Sequence, residues 1–190
     1  MNSPYNGKFR VSQIFMGAAH DGLDLVGEDS KEIYSTVNGV VERAGWENSA
    51  DKEQGFGLYV RIKQSASADR YYFGHLSKVV VKVGQNVSAG DKIGIEGSTG
   101  KTTGSHCHYC VRGNGSKAQI RDINAISGIP NKLGIYNDGA EKGRPVYIVK
   151  KSWKAPAVKI TPYISQARLV AKRYGYVIYD RNGKTITSYR

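Results

Sequence analysis

Short runs of alternating apolar and polar residues dominate the first 112 positions of the chain. In Leu58–Lys63, for example, Leu58, Val60 and Ile62 share one face of an extended segment. Runs of this kind, separated by glycine-rich turns, predict seven strands: Gly22–Val26, Glu32–Thr36, Gly39–Gly45, Gly57–Lys63, Arg70–His75, Lys92–Glu96 and His106–Arg112. No amphipathic helix is indicated before residue 160, so we predict an all-β domain.

The pattern changes toward the C-terminus. Residues 114–142 are irregular and rich in turn residues, which indicates the edge of the first domain running into a linker. The segment Ile164–Tyr174 then predicts a helix, one side of which carries Ile164, Ala167, Leu169 and Ala171.

A β-hairpin is predicted after this helix. Its strands are Tyr176–Tyr179 and Lys184–Tyr189, and residues 180–183 (Asp-Arg-Asn-Gly) form its turn. We therefore predict two domains, 1–140 and 141–190. The second is a small αββ module, too short to bury much core alone.

Composition fits a folded protein with an unusual charge distribution. The chain has 190 residues, of which 39% are hydrophobic and 23% charged, values that exclude wholesale disorder. Residues 1–139 carry 16 basic and 14 acidic side chains, whereas residues 140–190 carry 12 basic and 2 acidic ones, so nearly all of the net +12 lies in the tail. Such a tail suits a polyanion: nucleic acid, an anionic membrane surface or an acidic wall polymer.

Features that direct a protein to membranes or to export are not indicated. No apolar run approaches the roughly 18–20 residues of a membrane span. Residues Met1–Tyr5 lack the pattern of a signal peptide, so a native chain that starts here is expected to be made in the cytoplasm. With only Cys107 and Cys110, we expect no disulfide framework.

The four histidines carry the candidate chemistry. His20 and Asp24 offer an imidazole and a carboxylate four residues apart, and His106 and His108 project from one face of a strand, about 7 Å apart. A catalytic zinc ion takes three such ligands and keeps a fourth position for water. His20, Asp24 and one of the later pair supply that set, which leaves His75 and the remaining histidine for proton transfer and charge stabilisation.

These motifs resemble the lysostaphin-type (M23) zinc endopeptidases, which cut peptidoglycan cross-links. The resemblance covers roughly residues 8–113 and rests chiefly on AHDGLDL (19–25), YFGHL (72–76), VKVGQNVSAGDKIG (81–94) and GSTGKTTGSHCH (97–108). It implies an antiparallel β-sheet or sandwich of the duplicated hybrid-motif type, one zinc ion and a peptidoglycan substrate.

The resemblance also implies a role for each of five residues. His20, Asp24 and His108 would be the zinc ligands. His106 would be the general base. His75 would polarise water or steady the oxyanion.

The two cysteines depart from the family pattern. Cys107 stands where an aliphatic residue is usual, and Cys110 where an acidic or amide residue is common. The C-x-x-C spacing is itself typical of zinc ligands. Residues three apart on a strand point to opposite faces, however, so Cys107 should point into the core and Cys110 should share the face of His108. We favour structural roles for both over contact between Cys110 and the metal.

Other functions fit the residues less well. Residues 83–94 also resemble turns of biotinyl and lipoyl carriers and of sugar phosphotransferase domains. A carrier needs a lysine at a hairpin tip, which we do not find, and a phosphocarrier has no use for Asp24. A non-catalytic M23-like activator of another wall hydrolase typically lacks zinc ligands, which are all present here.

We therefore hypothesise a zinc endopeptidase of peptidoglycan. The setting resembles that of a phage endolysin released through a holin, or of a secreted autolysin in its mature form. Because the candidate site lies in the nearly neutral part of the chain, the basic tail is expected to bind anionic wall polymers or to self-associate, and not to bind nucleic acid. The bond cut (glycyl-glycine, D-alanyl-glycine or D-alanyl-diaminopimelate) and the oligomeric state stay open.

Overall fold

The computed structural model describes residues 1–138, 147–152, 154, 157, 159–161, 164–179 and 185–188. The chain divides into two compact units, Met1–Asp138 and Gly139–Arg190. None of the described helices is long and apolar enough to cross a membrane.

An eight-stranded antiparallel sheet forms the body of the first unit. Its strands lie in the order β11 (Gly134–Asn137), β1 (Lys8–Gln13), β2 (Gly22–Gly27), β10 (Cys107–Gly113), β6 (Asp69–Gly74), β5 (Leu58–Gln64), β4 (Gly39–Trp46) and β8 (Asn86–Val87). A second sheet has the order β3 (Glu32–Tyr34), β9 (Lys92–Ile95) and β7 (Lys78–Val79). A short helix, α1, spans Ile123–Ser127.

The main hydrophobic core draws side chains from both sheets. Val60 and Ile62 of β5 are fully buried in it, as their alternation requires, together with Ile33 of β3 and Ile93 of β9. The opposite face of the large sheet carries a smaller buried cluster, formed by Phe56, Tyr59, Tyr72 and Cys110. Strands β5, β6 and β10 are therefore covered on both faces. The candidate site lies on the same face of the sheet as the smaller cluster.

The predicted all-β fold is confirmed, and each of the seven predicted strands is present with ends within two residues. Five elements were not predicted: β1, β11, the two-residue strands β7 and β8, and helix α1. Strand β1 does alternate, with Phe9 and Val11 buried, and the turn residues Asn6-Gly7 precede it, so its pattern could have been recognised. Strand β11 pairs only with β1, as an edge strand with no fully buried residue, and therefore has a weak pattern.

The second unit contains a four-stranded sheet and a helix among its described residues. The strands are β12 (Tyr147–Lys150), β13 (Lys159–Thr161), β14 (Val177–Tyr179) and β15 (Thr185–Ser188), in the order β13-β12-β14-β15. Helix α2 spans Ile164–Tyr174. Two strands thus precede the helix, and the predicted αββ module did not include them. The predicted turn 180–183 lies outside the described residues.

One side-chain placement on α2 was wrong. Ala167 and Ala171 are fully buried against Val149 and Ile178, but Leu169 is 73% exposed. Positions i and i+4 share a helix face, whereas position i+2 lies on the other side of the helix. The side chain of Ile164 lies outside the described set.

A buried carboxylate ties the first unit together. Glu96, just after β9, accepts hydrogen bonds from Tyr5 Oη (2.5 Å), the Gly27 amide (2.8 Å), Lys31 Nζ (2.9 Å) and Ser105 Oγ (2.6 Å). Burial alone would raise the pKa of Glu96, but the bonds from Ser105, Tyr5, Gly27 and Lys31 outweigh it and lower that pKa. The ionised side chain therefore joins the N-terminal segment, β2 and the loop that leads into β10.

We predict that Glu96→Gln lowers the free energy of unfolding by about 3 kcal/mol at pH 7, because a neutral amide replaces a charged acceptor of several buried donors. Urea unfolding in the presence of a chelator measures this, with the exposed Glu53→Gln as the control. The contribution of a carboxylate with a lowered pKa is present above about pH 4.3 and is lost as the pH falls. The difference between wild type and variant should therefore shrink below pH 4, and equal stabilities at pH 7 would contradict the assignment.

Candidate metal centre

The register of three neighbouring strands assembles the site. Strand β10 pairs with β2 so that His108 stands directly opposite Asp24, and with β6 so that His108 stands opposite Gly74. His75 follows Gly74 at the end of β6, and His20 precedes β2 by two residues. A bridge between Gly97 and His106 holds the loop that leads into β10. The five predicted site residues therefore meet in one place although up to 88 positions separate them.

His20, Asp24 and His108 form a compact donor set. His20 Nε2 lies 3.1 Å from Asp24 Oδ1, and His108 Nδ1 lies 2.8 Å from the same oxygen. One ligand atom from each residue falls within 4.8 Å of the others. Two imidazole nitrogens and one carboxylate oxygen are the donors of a catalytic zinc site. The residues present therefore fit a zinc ion.

The charge of Asp24 and the hydrogen bonding of His20 also suit a cation. Burial would raise the pKa of Asp24, but the ring nitrogens of His108 and His20 at hydrogen-bond distance outweigh it, so the pKa is lowered and the carboxylate is ionised. His20 Nδ1 lies 2.7 Å from the carbonyl oxygen of Ile14, which can only accept a hydrogen bond. His20 Nδ1 therefore carries a proton, which leaves Nε2, on the side of Asp24, as the ring nitrogen available to a metal ion.

His75 is held in a strained conformation beside this set. Its φ of 61° is unusual for a residue other than glycine, and its amide donates to the carbonyl of Phe56 at 2.8 Å. Its Nδ1 lies 2.7 Å from the carbonyl oxygen of Thr99, so that nitrogen carries the proton. Burial, reinforced by the neighbouring His106 and His108, lowers the pKa of His75 to about 4. The ring is therefore neutral at pH 7, with the lone pair on Nε2.

His106 has a similar arrangement. Its Nδ1 lies 2.8 Å from the carbonyl oxygen of Gly104, and its Nε2 lies 3.5 Å from Asp24 Oδ1. The rings of His75 and His106 are 4.6 Å apart between centroids. Both rings thus give their Nδ1 proton to a main-chain carbonyl of the glycine-rich loop 97–105.

Close backbone packing fixes that loop. A Cβ on Gly100, whose φ is +76°, would lie 2.3 Å from the amide nitrogen of Gly57. Only a residue without a side chain allows this approach. Thr99 adds two hydrogen bonds, accepting from the amide of Leu58 and donating to the carbonyl of Leu76, both at 2.9 Å. The carbonyls that orient His75 and His106 are therefore part of a fixed frame.

The cysteines lie on the faces expected from the strand period. Cys107 is buried in the main core and Cys110 in the cluster on the site face. Asp21, His108 and Cys110 form a second group whose ligand atoms lie within 4.8 Å of one another. Of the two tyrosines of β6, Tyr72 lies on the site face, but it is almost fully buried and supports the floor of the site.

A groove passes over the five residues. On one side of His108 it is lined by Glu47, Phe56, Arg112 and Lys117, and on the other by Gln13, Thr102 and Thr103. Lys101 borders both sides. Sequence reasoning missed Asp21 and Arg112, which contact each other beside His108. Arg112 could have been found, because it shares strand parity with His108 on β10.

Comparisons with known proteins agree on one family. The sequence model of peptidase family M23 matches residues 18–120. The peptidoglycan DD-endopeptidase ShyA of Vibrio cholerae is 34% identical over 141 residues, which are 68% of this chain and 31% of that protein. Lysostaphin of Staphylococcus simulans is 34% identical over 93 residues, which are 49% of this chain and 18% of that protein.

A solved structure is also similar. The catalytic domain of lysostaphin from Staphylococcus simulans superposes with a TM-score of 0.53 at 28% identity, covering 66% of this chain and 93% of that one. The chain spans less than a third of the length of ShyA and of lysostaphin. The likeness is therefore to a part of each protein, and for lysostaphin the similar structure is that of its catalytic domain.

We predict that Gly22→Ala weakens zinc binding by about tenfold or more and lowers the free energy of unfolding by roughly 1–3 kcal/mol. A Cβ there would lie 2.7 Å from both His108 Nε2 and the carbonyl oxygen of Tyr109, which would displace the His108 ring. Competition with a chromogenic chelator and urea unfolding measure the two effects. Gly104→Ala is the matched control, because its Cβ would meet nothing within 4 Å. Equal zinc affinities and equal stabilities of the two variants would contradict the importance of the close approach at Gly22.

Proposed function

The chain belongs to peptidase family M23, and from this premise we propose that it is a zinc endopeptidase that hydrolyses peptide cross-links of bacterial peptidoglycan. The observation that carries the proposal is the convergence of His20, Asp24 and His108 with His75 and His106 under one groove. Relatives that are named as a peptidoglycan DD-endopeptidase and as a glycyl-glycine endopeptidase support the substrate class.

The proposed ligands are His20 through Nε2, Asp24 through a carboxylate oxygen and His108 through Nδ1. A zinc ion held by these residues would lower the pKa of a bound water toward about 7 and would polarise the carbonyl of the scissile bond. The protein's part is to hold the three donors in place. The Ile14 carbonyl fixes His20, and the pairing of β2 with β10 fixes Asp24 against His108.

His106 is the proposed general base. Because its Nδ1 proton is committed to the Gly104 carbonyl, Nε2 carries the lone pair, and this nitrogen lies 3.5 Å from Asp24 Oδ1. It can take a proton from the attacking water and pass it to the leaving amine. Asp24 in turn stabilises the cationic ring that exists between the two transfers.

His75 is proposed to orient the attacking water. The family resemblance left two roles open for it, polarising water or steadying the oxyanion. A neutral ring whose Nδ1 proton goes to the Thr99 carbonyl has no second N–H to donate to an oxyanion. It can, however, accept a hydrogen bond from water at Nε2. The lowered pKa, about 4, keeps the ring in this form at pH 7.

We predict different losses for a ligand and for the base. Asp24→Ala should lose zinc and activity together. His106→Ala should keep about one equivalent of zinc while its rate falls by about 10²–10⁴-fold, the usual contribution of general acid–base catalysis. The measurements are zinc content by mass spectrometry, and free amines and muropeptides released from walls of known cross-link chemistry.

The outcomes of that experiment separate the competing functions. Near-normal turnover of the His106 variant would refute its role as base. A wild-type protein that binds zinc but releases no amines from any wall would instead favour a non-catalytic activator. The masses of the released muropeptides identify the bond that is cut.

The site of action is proposed to be the cell wall, where cleavage would be lytic as in a phage endolysin.

The second unit is proposed to be a tether that holds the enzyme at the wall. The second unit holds 12 basic and 2 acidic side chains in residues 140–190, and Arg168, Lys172 and Arg173 are exposed on α2. Such a surface is attracted to anionic wall polymers, and salt screens the attraction.

We predict that replacing Arg168, Lys172 and Arg173 by Gln weakens binding to whole walls several-fold at low salt. Cleavage of soluble cross-link peptides should not change, because the peptidase residues all lie in the first unit. Co-sedimentation with walls over a range of salt concentrations measures the binding. The matched control replaces Lys78, Lys82 and Lys132, which are exposed on the first unit. Equal losses of wall binding in both triple variants would contradict the proposal that the second unit binds the wall.

A further inference from the structure

We propose that Asp21, held by Arg112, is a positioning residue that fixes the tautomer and orientation of His108. The inference rests on the proposed zinc site. It starts from the two carboxylates that flank the His108 ring: Asp24 Oδ1 lies 2.8 Å from Nδ1, and Asp21 Oδ1 lies 3.2 Å from Nε2. His108 is thus the member of the site whose two ring nitrogens both face carboxylates.

A neutral imidazole has one proton, and its position decides which nitrogen can bind a metal. In the proposed site Nδ1 of His108 belongs to the donor set, so the proton must sit on Nε2. Asp21 Oδ1 is placed to accept that proton in a hydrogen bond. Contacts of this kind to the second nitrogen of a ligating histidine set its tautomer and make it a better donor.

Arg112 keeps Asp21 in that position. Its Nε and Nη2 donate to Asp21 Oδ2 at 2.7 and 2.6 Å, which leaves Oδ1 for His108. Arg112 is 94% buried, and its guanidinium lies over the rings of Phe56 and Tyr72, 5.0 and 4.9 Å from their centroids. Because the fork and the stacking fix the guanidinium plane, the carboxylate between Arg112 and His108 has little freedom to rotate.

The same contacts argue that Asp21 is not itself a ligand. Asp21, His108 and Cys110 are close enough together to hold a metal. A cation in that group would, however, lie beside the Arg112 guanidinium, which already neutralises Asp21, and like charges repel. Asp21 therefore acts through His108, and the sequence motif His20-x-x-x-Asp24 carries the positioning carboxylate immediately after its first ligand.

The experiment compares zinc dissociation constants, measured by chelator competition on the full chain. We expect Asp21→Ala to weaken zinc binding by about 10–100-fold, the usual effect of losing a partner of a ligating histidine. Asp21→Asn, which keeps the shape and an acceptor oxygen, should restore part of the affinity. Arg112→Lys, which keeps the charge but loses the fork, should give an intermediate value. Asp91→Ala, on the exposed turn before β9, is the matched control.

A spectroscopic readout separates positioning from a merely structural role. In the zinc-loaded wild type, the Nε2 proton of His108 should be visible in a ¹⁵N–¹H spectrum, because Asp21 holds it. It should be lost to exchange in Asp21→Ala and retained in Asp91→Ala. If Asp21→Ala does not fold, Asp21→Asn and Arg112→Lys carry the affinity comparison.

Failure of this inference can be told apart from failure of the proposed function. Unchanged zinc affinity in the folded Asp21 and Arg112 variants, with the Nε2 proton still present, would overturn this inference alone. A wild-type protein that binds no zinc would overturn the proposed function, and this inference with it.

Discussion

The pairing of β2 with β10 is the constraint on which the rest of the site depends. It sets Asp24 opposite His108, and the pairing of β10 with β6 then brings His75 to the same place. A slip of one residue in either ladder would turn these side chains to the other face of the sheet. The buried residues beneath, in the main core and in the cluster around Phe56, hold that register. The arrangement of these site residues is therefore a consequence of ordinary strand packing.

Main-chain carbonyls fix the orientation of three of the four histidines. Those of Ile14, Thr99 and Gly104 each take the Nδ1 proton of one histidine and leave a lone pair on Nε2. His108 is the exception, because both of its nitrogens face side-chain carboxylates. Metal binding and proton transfer both need rings whose proton-bearing nitrogen is assigned, and these hydrogen bonds assign it before any substrate arrives.

Much of this could be predicted from sequence, for physical reasons that also explain what was missed. Two-residue periodicity and glycine turns located seven strands, and the spacing of His20, Asp24, His106 and His108 located the site. Strand parity places Arg112 on the face of His108, but its pairing with Asp21 could not be predicted, because it depends on how the residues just before β2 align with β10. Leu169 was misplaced because its apolarity was given more weight than its angular position on the helix. Strand β11 has too few buried residues to produce a pattern.

The central claim is that one zinc ion is held by two imidazoles and a carboxylate, and not by the neighbouring group that contains Cys110. X-ray absorption at the zinc edge of the loaded protein tests this directly. We expect a shell of nitrogen and oxygen only, at about 2.0–2.2 Å, with scattering from two imidazole rings. A sulfur scatterer at about 2.3 Å would contradict it, because Cys110 would then be a ligand.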